Sequence, residues 1–383
     1  MSNERRVASG LVERIGMQDA ALTYEPVGGE KIREVLHVAD HAAAIAHILE
    51  LLVDAKTGVI KSLADITAVG HRVVHGAEKF SKSVLVDDRV IAVLQENIPL
   101  APLHNPPNIT GIKAMMQDLP GVPNVAVFDT AFHTTMPPES YLYAVPYEWY
   151  EKLHVRRYGF HGTSHRFVSE RAAQILGIAL DRFNCITCHM GNGSSFTGIK
   201  NGKSYDTSMG MTPLEGMVMG TRSGDIDPGV LRFLADTSSL SIDDIDVVLN
   251  KQSGLLGISG VSSDMRDVEI AAAQGNVRAQ LALDVLCHRS LKYIGAYAIE
   301  LGRVDAIIFT GGIGENGTDF RATVVNRLAL LGIKLDADAN NVRGKEAIIS
   351  TADSAIKVMV VPTNEELEIA RDTRDIVAAL PGR

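Results

Sequence analysis

The stretch DAIIFTGGIGEN, residues 305–316, decides the fold class. It is a short apolar run, rich in β-favouring residues, that breaks abruptly into glycines. That is how a buried strand hands over to a turn. Three other stretches share the design: NVAVFDT (124–130), NCITCHMGNGSS (184–195) and KVMVVPTNEE (357–366). Between and around them lie residues 40–55, 164–177, 277–302 and 366–380, whose apolar positions recur at helical spacing. Strands alternating with helices predict an α/β fold. In open α/β sheets ligands gather at the carboxyl ends of the strands. Four polar or glycine-rich ends of one character therefore point to a shared cleft.

The chain has 383 residues, which favours two domains. The irregular segment from His133 to His165 is expected to open the second, with the boundary near residue 130 and Asp129 at the hinge. With 37 basic against 46 acidic residues, the net charge of -9 gives no general attraction for nucleic acid or anionic membrane. No apolar run is long enough to span a bilayer, and the N-terminal residues lack the apolar core of a secretory signal. A cytoplasmic location is expected. Three cysteines do not make a disulfide framework. Cys185, Cys188 and His189 spell the haem-attachment pattern C-x-x-C-H, but on a strand positions three apart face opposite sides, so buried strand cysteines are expected instead.

Two glycine loops follow strands, HMGNGSS (189–195) and TGGIGEN (310–316). Glycine lets backbone N–H groups approach an anion, and the second loop opens a helix, whose N-terminus favours phosphate. Neither is a Walker A loop; GIKNGKS (198–204) has one residue too few between its glycines. Gly312, Gly314 and Gly317 also spell G-x-G-x-x-G, with Asp336 further on, so a nicotinamide-dependent oxidoreductase is the rival reading. Arg72 in GHRVVHG and Arg222 in GTRSGDIDP lie in glycine-flanked segments that suit carboxylate or phosphate. His161 and His165 are four apart, but Gly162 and the lack of a zincin glutamate argue against a metal pair. Thr363 and Glu366 fit a capping box, which leaves Glu365 available for a magnesium ion through water.

Taken in order, GHRVVHGAEKF, APLHNPPN, VFDTAFHTTMP, RRYGFHGTSH, TCHMGNGSS, DTSMGMTPLEGMVMGTRSGDIDP, SGLLGISGVSSDMRD, FTGGIGEN and VPTNEELEIARDT resemble the acetate kinase family. The resemblance implies two related ribonuclease H-like, actin-like ATPase domains flanking a nucleotide cleft. Residues 1–129 with 366–383 would form one domain and 130–365 the other. It implies magnesium-dependent phosphoryl transfer from ATP to acetate or another short carboxylate, with manganese as an alternative metal, and a homodimer. By motif, Asp129, His161 and Arg222 would be catalytic, Arg72 would hold the carboxylate, and His104 would support it. Val74, Leu103, Phe160 and Pro213 would form the methyl pocket. His189, Met190, Gly191, Asn192, Gly193, Ser263, Asp264, Met265, Gly312, Ile313, Gly314, Glu315 and Asn316 would surround the nucleotide, and Glu365 would help hold the metal. A non-catalytic nucleotide-binding relative is the third possibility.

The sequence departs from the family pattern at its start. The family's opening segment, Asn-x-Gly-Ser-Ser-Ser-Leu-Lys, has no counterpart here, and the match begins at ASGLVERIG. Loss of that loop would remove transition-state donors, so poor solubility or weak activity is expected of the chain as written, with a misplaced start codon as the preferred explanation. Ala77 replaces a second family glycine, with little effect expected.

Overall fold

A computed structural model describes residues 4–102 and 104–381. They form two compact units, one made of residues up to Ala131 together with those from Glu366 onward, the other of Phe132–Glu365.

The first unit holds two small sheets. β1 (Ala8–Glu13), β2 (Ala21–Pro26) and β3 (Ile32–Val35) make an antiparallel meander. β4 (Val69–Val73), β5 (Val84–Leu85) and β6 (Asn124–Phe128) form the second sheet, in the order β4-β6-β5. β6 is buried throughout, which explains its unbroken apolar sequence. Val73, Ala126 and Phe128 on one face pack with Leu94 and Ile112 from the helices Asp88–Glu96 and Asn105–Asp118. Val125 and Val127 on the other face meet Ile369, Ile376 and Val377 of the C-terminal helix. The stretch NPPN at the end of APLHNPPN is helical because Pro106 and Pro107 sit in the first turn of Asn105–Asp118, where no N–H is required of them.

The second unit is built on one sheet containing β7 (Cys185–Met190), β8 (Ser194–Lys200), β9 (Lys203–Thr207), β10 (Ala306–Thr310), β11 (Ala347–Ile348) and β12 (Lys357–Val360). The order is β11-β12-β10-β7-β8-β9. β7, β8 and β9 form an antiparallel meander, and β10 and β12 add in parallel beside β7. Leaving β11 aside, this is the 3-2-1-4-5 order of a ribonuclease H-like sheet. The near-Walker stretch GIKNGKS is the β8–β9 hairpin, with Asn201 and Gly202 both at positive φ (52° and 73°), as a type I′ turn requires.

Strand residues alternate between two cores. Cys188, Met190, Ile307 and Phe309 pack with Leu286, Ile294 and Tyr297 of the long helix Val277–Leu301. Cys185, Ala306, Ile308 and Met359 pack with Val168, Ala172 and Ala173 of the helix Gly162–Leu176. The two cysteines thus lie on opposite faces, and burial pushes both thiols well above their ordinary range.

One ionic cluster is buried beside the first of these cores. Burial pushes the Asp206 carboxyl up to about 6; Arg157 and the Thr207 N–H pull it down, and Glu215 adds to the rise. Glu300, raised chiefly by burial and then by Asp206, faces the same cluster, as does the buried Tyr297. The folded-state value lies above the ordinary 3.8. Between those values the folded chain holds a proton that the unfolded chain has released. This group's contribution to stability is therefore present in acid and lost as pH rises through about 6. In Asp206→Asn, the stability difference from the parent is expected to shift in the variant's favour by about 2–3 kcal/mol between pH 4 and 7. Urea unfolding at both pH values measures it; parallel curves would contradict the assignment.

Candidate active site

In the first unit, parallel pairing sets Arg72 opposite Val127, two residues before Asp129. The Asp129 backbone N–H donates to Val73 O at 3.0 Å, which fixes the turn after β6. Arg72 Nε donates to Asp129 Oδ1 at 3.0 Å and Nη2 to Oδ2 at 2.6 Å. The carboxylate is 2% exposed and the arginine side chain 49%, so the anion is buried behind the arginine that pairs with it. Val74 is buried, with its N–H on Asn108 Oδ1 at 3.1 Å. His104 takes the position just before the helix Asn105–Asp118. Leu103 lies outside the described residues.

In the second unit, the parallel register of β7, β10 and β12 brings three of the four predicted strand ends to one edge of one sheet. The fourth, at Asp129, belongs to the other unit. His161 precedes the helix Gly162–Leu176 in a left-handed conformation, φ 56° and ψ 23°. A non-glycine residue is held there only when its surroundings fix it. Several contacts do. His161 Nδ1 is 2.9 Å from Ser195 Oγ, and the same oxygen is 2.7 Å from Nε2 of the fully buried His165. His165 Nδ1 is 2.7 Å from Thr187 Oγ1. Burial keeps His165 neutral, with nearby His133 and His189 acting in the same direction. The His161 ring also stacks on His189 at 4.2 Å, and His189 Nδ1 meets Ser164 Oγ at 2.8 Å.

These contacts fix the Nδ1 edge and one face of the His161 ring and leave its Cε1–Nε2 side toward Gly193. An ideal Cβ on Gly193 would lie 3.6 Å from His161 Nε2 and 3.2 Å from Arg222 Nη1. A histidine and an arginine thus bound one small volume above a glycine. Burial lowers the Arg222 pKa from its ordinary range, and in that partly desolvated setting its charge is less screened.

Beside this volume, Gly191, Asn192, Ser263, Asp264, Met265, Arg266, Glu269, Gly312, Ile313, Asn316, Gly317 and Arg343 line a cavity of about 480 Å³, within the usual range for a small-molecule site. It gathers Gly191 and Asn192, Ser263 to Met265, and Gly312, Ile313 and Asn316 from the predicted nucleotide set. His189, Met190, Gly193, Gly314 and Glu315 do not line it. Met190 and Gly314 are buried. Glu315 turns back instead: its Oε1 accepts from Gly311 N at 2.9 Å and Thr363 N at 3.2 Å. The first N–H of the short helix Gly311–Asn316 is therefore satisfied from within, while Gly312 and Ile313 of the same loop line the cavity. Arg266, Glu269 and Arg343 were not anticipated. Arg343 reaches the cavity because its Nη1 donates to Asn316 O at 2.7 Å, a pairing across 27 residues that no local pattern announces.

Two further readings need correction. The C-terminal helix begins at Glu365, which puts Asn364 rather than Thr363 at the cap. The Thr363 hydroxyl is buried and makes no hydrogen bond among the described residues, so the capping box is not formed. Asp336, the acidic residue of the dinucleotide fingerprint, accepts from Asp338 N and Ala339 N in a turn. The strand that follows it, β11, pairs antiparallel with β12 and does not extend a βαβ unit.

The acetokinase family profile matches residues 1–371. The acetate kinase of Treponema denticola is 57% identical over 377 residues, covering 98% of this chain and 95% of its own. The chain belongs to the acetokinase family. The crystal structure of Porphyromonas gingivalis acetate kinase, 51% identical, superposes with a TM-score of 0.93 over 97% of this chain and 93% of that one. A propionate kinase from Francisella tularensis, 44% identical, gives 0.91 over 97% and 94%. The fold is thus the two-domain, actin-like ATPase fold. As an acetokinase the chain is a phosphotransferase with a carboxyl acceptor, an acetate kinase by activity, that uses ATP and a divalent cation. The oxidoreductase reading is set aside.

Proposed function

We propose that this acetokinase moves the terminal phosphoryl group of magnesium-ATP reversibly onto acetate, with His161 and Arg222 neutralising the phosphoryl oxygens in flight. The observation that carries this is the convergence of His161 Nε2 and Arg222 Nη1 on the space above Gly193. Phosphoryl transfer asks the protein mainly to position groups and offset charge on the three equatorial oxygens. A stacked imidazole with its far edge anchored and a half-buried guanidinium do both.

Arg72 holds the acetate carboxylate, oriented by the buried Asp129 that grips its Nε and Nη2. Acetate is already ionised at neutral pH, so Asp129 serves as an orienting anion rather than a base. His104 supports the acid, and Val74, Leu103, Phe160 and Pro213 receive its methyl group. The cavity by Gly191, Ser263 and Gly312 takes the nucleotide.

The residues present fit a magnesium ion bound chiefly by phosphates and water. Glu365 offers a carboxylate at the start of its helix, and two residues earlier the buried, unpaired Thr363 hydroxyl suits a metal-bound water. The ion would supply positive charge to the ATP phosphates. Among the described residues no helix is long and apolar enough to cross a membrane. A cytoplasmic location and a homodimer are part of this reading, and family membership supports both.

A methyl pocket discriminates weakly, since one methylene is worth about 1–3 kcal/mol. Hydroxylamine trapping of acyl phosphate should show acetate preferred to propionate by about tenfold in kcat/KM. A higher value for propionate would overturn the pocket assignment.

A further inference from the structure

Between β9 and the helix Gly229–Ser238 runs a segment with no regular structure that carries both Pro213 and Arg222. It is folded into two closed lobes, and each lobe has its own clasp.

The first lobe spans Met209–Glu215. Arg157 closes its neck: Nη1 donates to Thr207 O at 2.7 Å, Ser208 O at 3.1 Å and Met209 O at 3.3 Å, while Nη2 donates to Glu215 Oε1 at 2.7 Å. One guanidinium therefore holds the chain entering the lobe and the carboxylate leaving it. Tyr143 completes the clasp. Its hydroxyl donates to Glu215 Oε2 at 2.5 Å and accepts from Met211 N at 2.9 Å. Gly210 is required where the two meet, because a Cβ there would strike both the Glu215 carboxylate and the Tyr143 hydroxyl. Pro213 sits inside this lobe.

The second lobe spans Gly216–Asp225. Its neck is closed by Asp225 N on Gly216 O at 3.0 Å and Gly216 N on Asp225 Oδ1 at 2.9 Å. Gly216 has φ 105°, and a Cβ there would lie 2.5 Å from Ser208 O. The clasp comes from the long helix Val277–Leu301. Arg289 Nη1 donates to Gly216 O at 2.8 Å and stands 3.0 Å from Asp225 Oδ2. Tyr293, one turn on, donates to Asp225 Oδ2 at 2.9 Å. Arg222 sits inside this lobe, which is tied to the glycine loop by Gly220 N on Asn192 O at 3.0 Å. The two clasps share no side chain.

We propose that these clasps are positioning devices for separate parts of the reaction: Arg157 and Tyr143 set the acid pocket through Pro213, and Arg289 and Tyr293 set Arg222 on the phosphoryl group. This rests on the roles given above to Pro213 and Arg222. Ground-state binding of the acid appears in KM, whereas a contact made only in the transition state appears in kcat. Loosening each lobe therefore has its own kinetic signature, which a merely structural role would not produce.

The test is steady-state kinetics of the full chain with acetate and with propionate. The variants are Tyr143→Phe, Arg157→Lys, Tyr293→Phe and Arg289→Lys. Loss of a hydrogen bond to a charged group is worth about tenfold. The first pair is expected to raise acetate KM about fivefold to tenfold and to shift the acetate-to-propionate ratio, with kcat within about twofold. The second pair is expected to lower kcat by about the same factor and leave acetate KM and the ratio in place. Changes of the same kind from both pairs, or from neither, would overturn the proposal. The tyrosine variants each remove one oxygen, so they carry the test if a lysine variant fails to fold. Pro213→Ala separates the two layers of inference. If it leaves KM and the ratio unmoved, the pocket reading fails. If it moves them and Arg157→Lys and Tyr143→Phe do not, the clasp proposal alone falls.

Discussion

Arg222→Ala is expected to lower kcat by about 10²–10³-fold while the KM for ATP and acetate stays within a fewfold. The arginine is partly desolvated, and burial lowers its pKa from the ordinary range. In that setting a fixed charge acts through a lower local dielectric and reorganises little as charge develops. Its Nη1 stands 3.2 Å from the point above Gly193 that His161 Nε2 also faces, so its contact is strongest with oxygens in mid-transfer. Arg222→Lys should recover little, because an ammonium cannot reproduce a planar fork. An ADP-coupled assay measures both variants. A loss under about tenfold for Arg222→Ala would remove the arginine from the transition state.

Arg321→Met is expected to destabilise the chain by about 3–5 kcal/mol. The side chain is fully buried, and among the described residues its hydrogen-bond partners are an amide and carbonyl oxygens, with no carboxylate. Nε donates to Asn340 Oδ1 at 3.0 Å, Nη1 to Gly314 O at 2.8 Å, and Nη2 to Asn340 O at 2.8 Å and Val342 O at 2.7 Å. Burial, with Arg343 nearby, brings its pKa down to about 10, so it stays charged at neutral pH. Methionine fills the volume but leaves carbonyl oxygens unpaired in the interior, at about 1–3 kcal/mol each. Two of those carbonyls hold the glycine helix Gly311–Asn316 and the segment leading to Arg343, which both line the cavity proposed for the nucleotide. KM for ATP should therefore rise along with the loss of stability. Urea unfolding gives the first quantity; a destabilisation under about 1 kcal/mol would show that the network is dispensable.

Three strands of the second unit's sheet, β7, β10 and β12, were legible because they are almost wholly buried. Such strands read as unbroken apolar runs, and their glycine-rich ends mark the edge where ligands collect. The long helices were legible from periodicity: the predicted stretches 40–55 and 277–302 contain the helices His41–Val53 and Val277–Leu301, and 164–177 and 366–380 match Gly162–Leu176 and Glu365–Ala378 to within two residues at the start. What failed was local chemistry overridden by tertiary partners. Glu315, read from sequence only as part of a glycine loop, also ties two strand ends together through Oε1. Thr363 looked like a cap and lies one residue too early. The supports of His161 were hidden because Ser195, His165 and Thr187 meet only through the β7–β8 pairing and the helix packed upon it. Arg157 and Arg289 were hidden for the same reason. Each clasps a segment more than fifty residues away, and nothing in their own neighbourhood distinguishes them from surface arginines.

The central claim is that one histidine and one arginine are built for a phosphoryl group in flight. The most direct test is inhibition by magnesium-ADP, acetate and tetrafluoroaluminate, which together mimic that species. A transition-state mimic should lose affinity in step with catalysis. The account predicts tight inhibition of the parent chain, weakened in His161→Ala and Arg222→Ala by about the factor that kcat falls in each. Undiminished inhibition of both variants would contradict it.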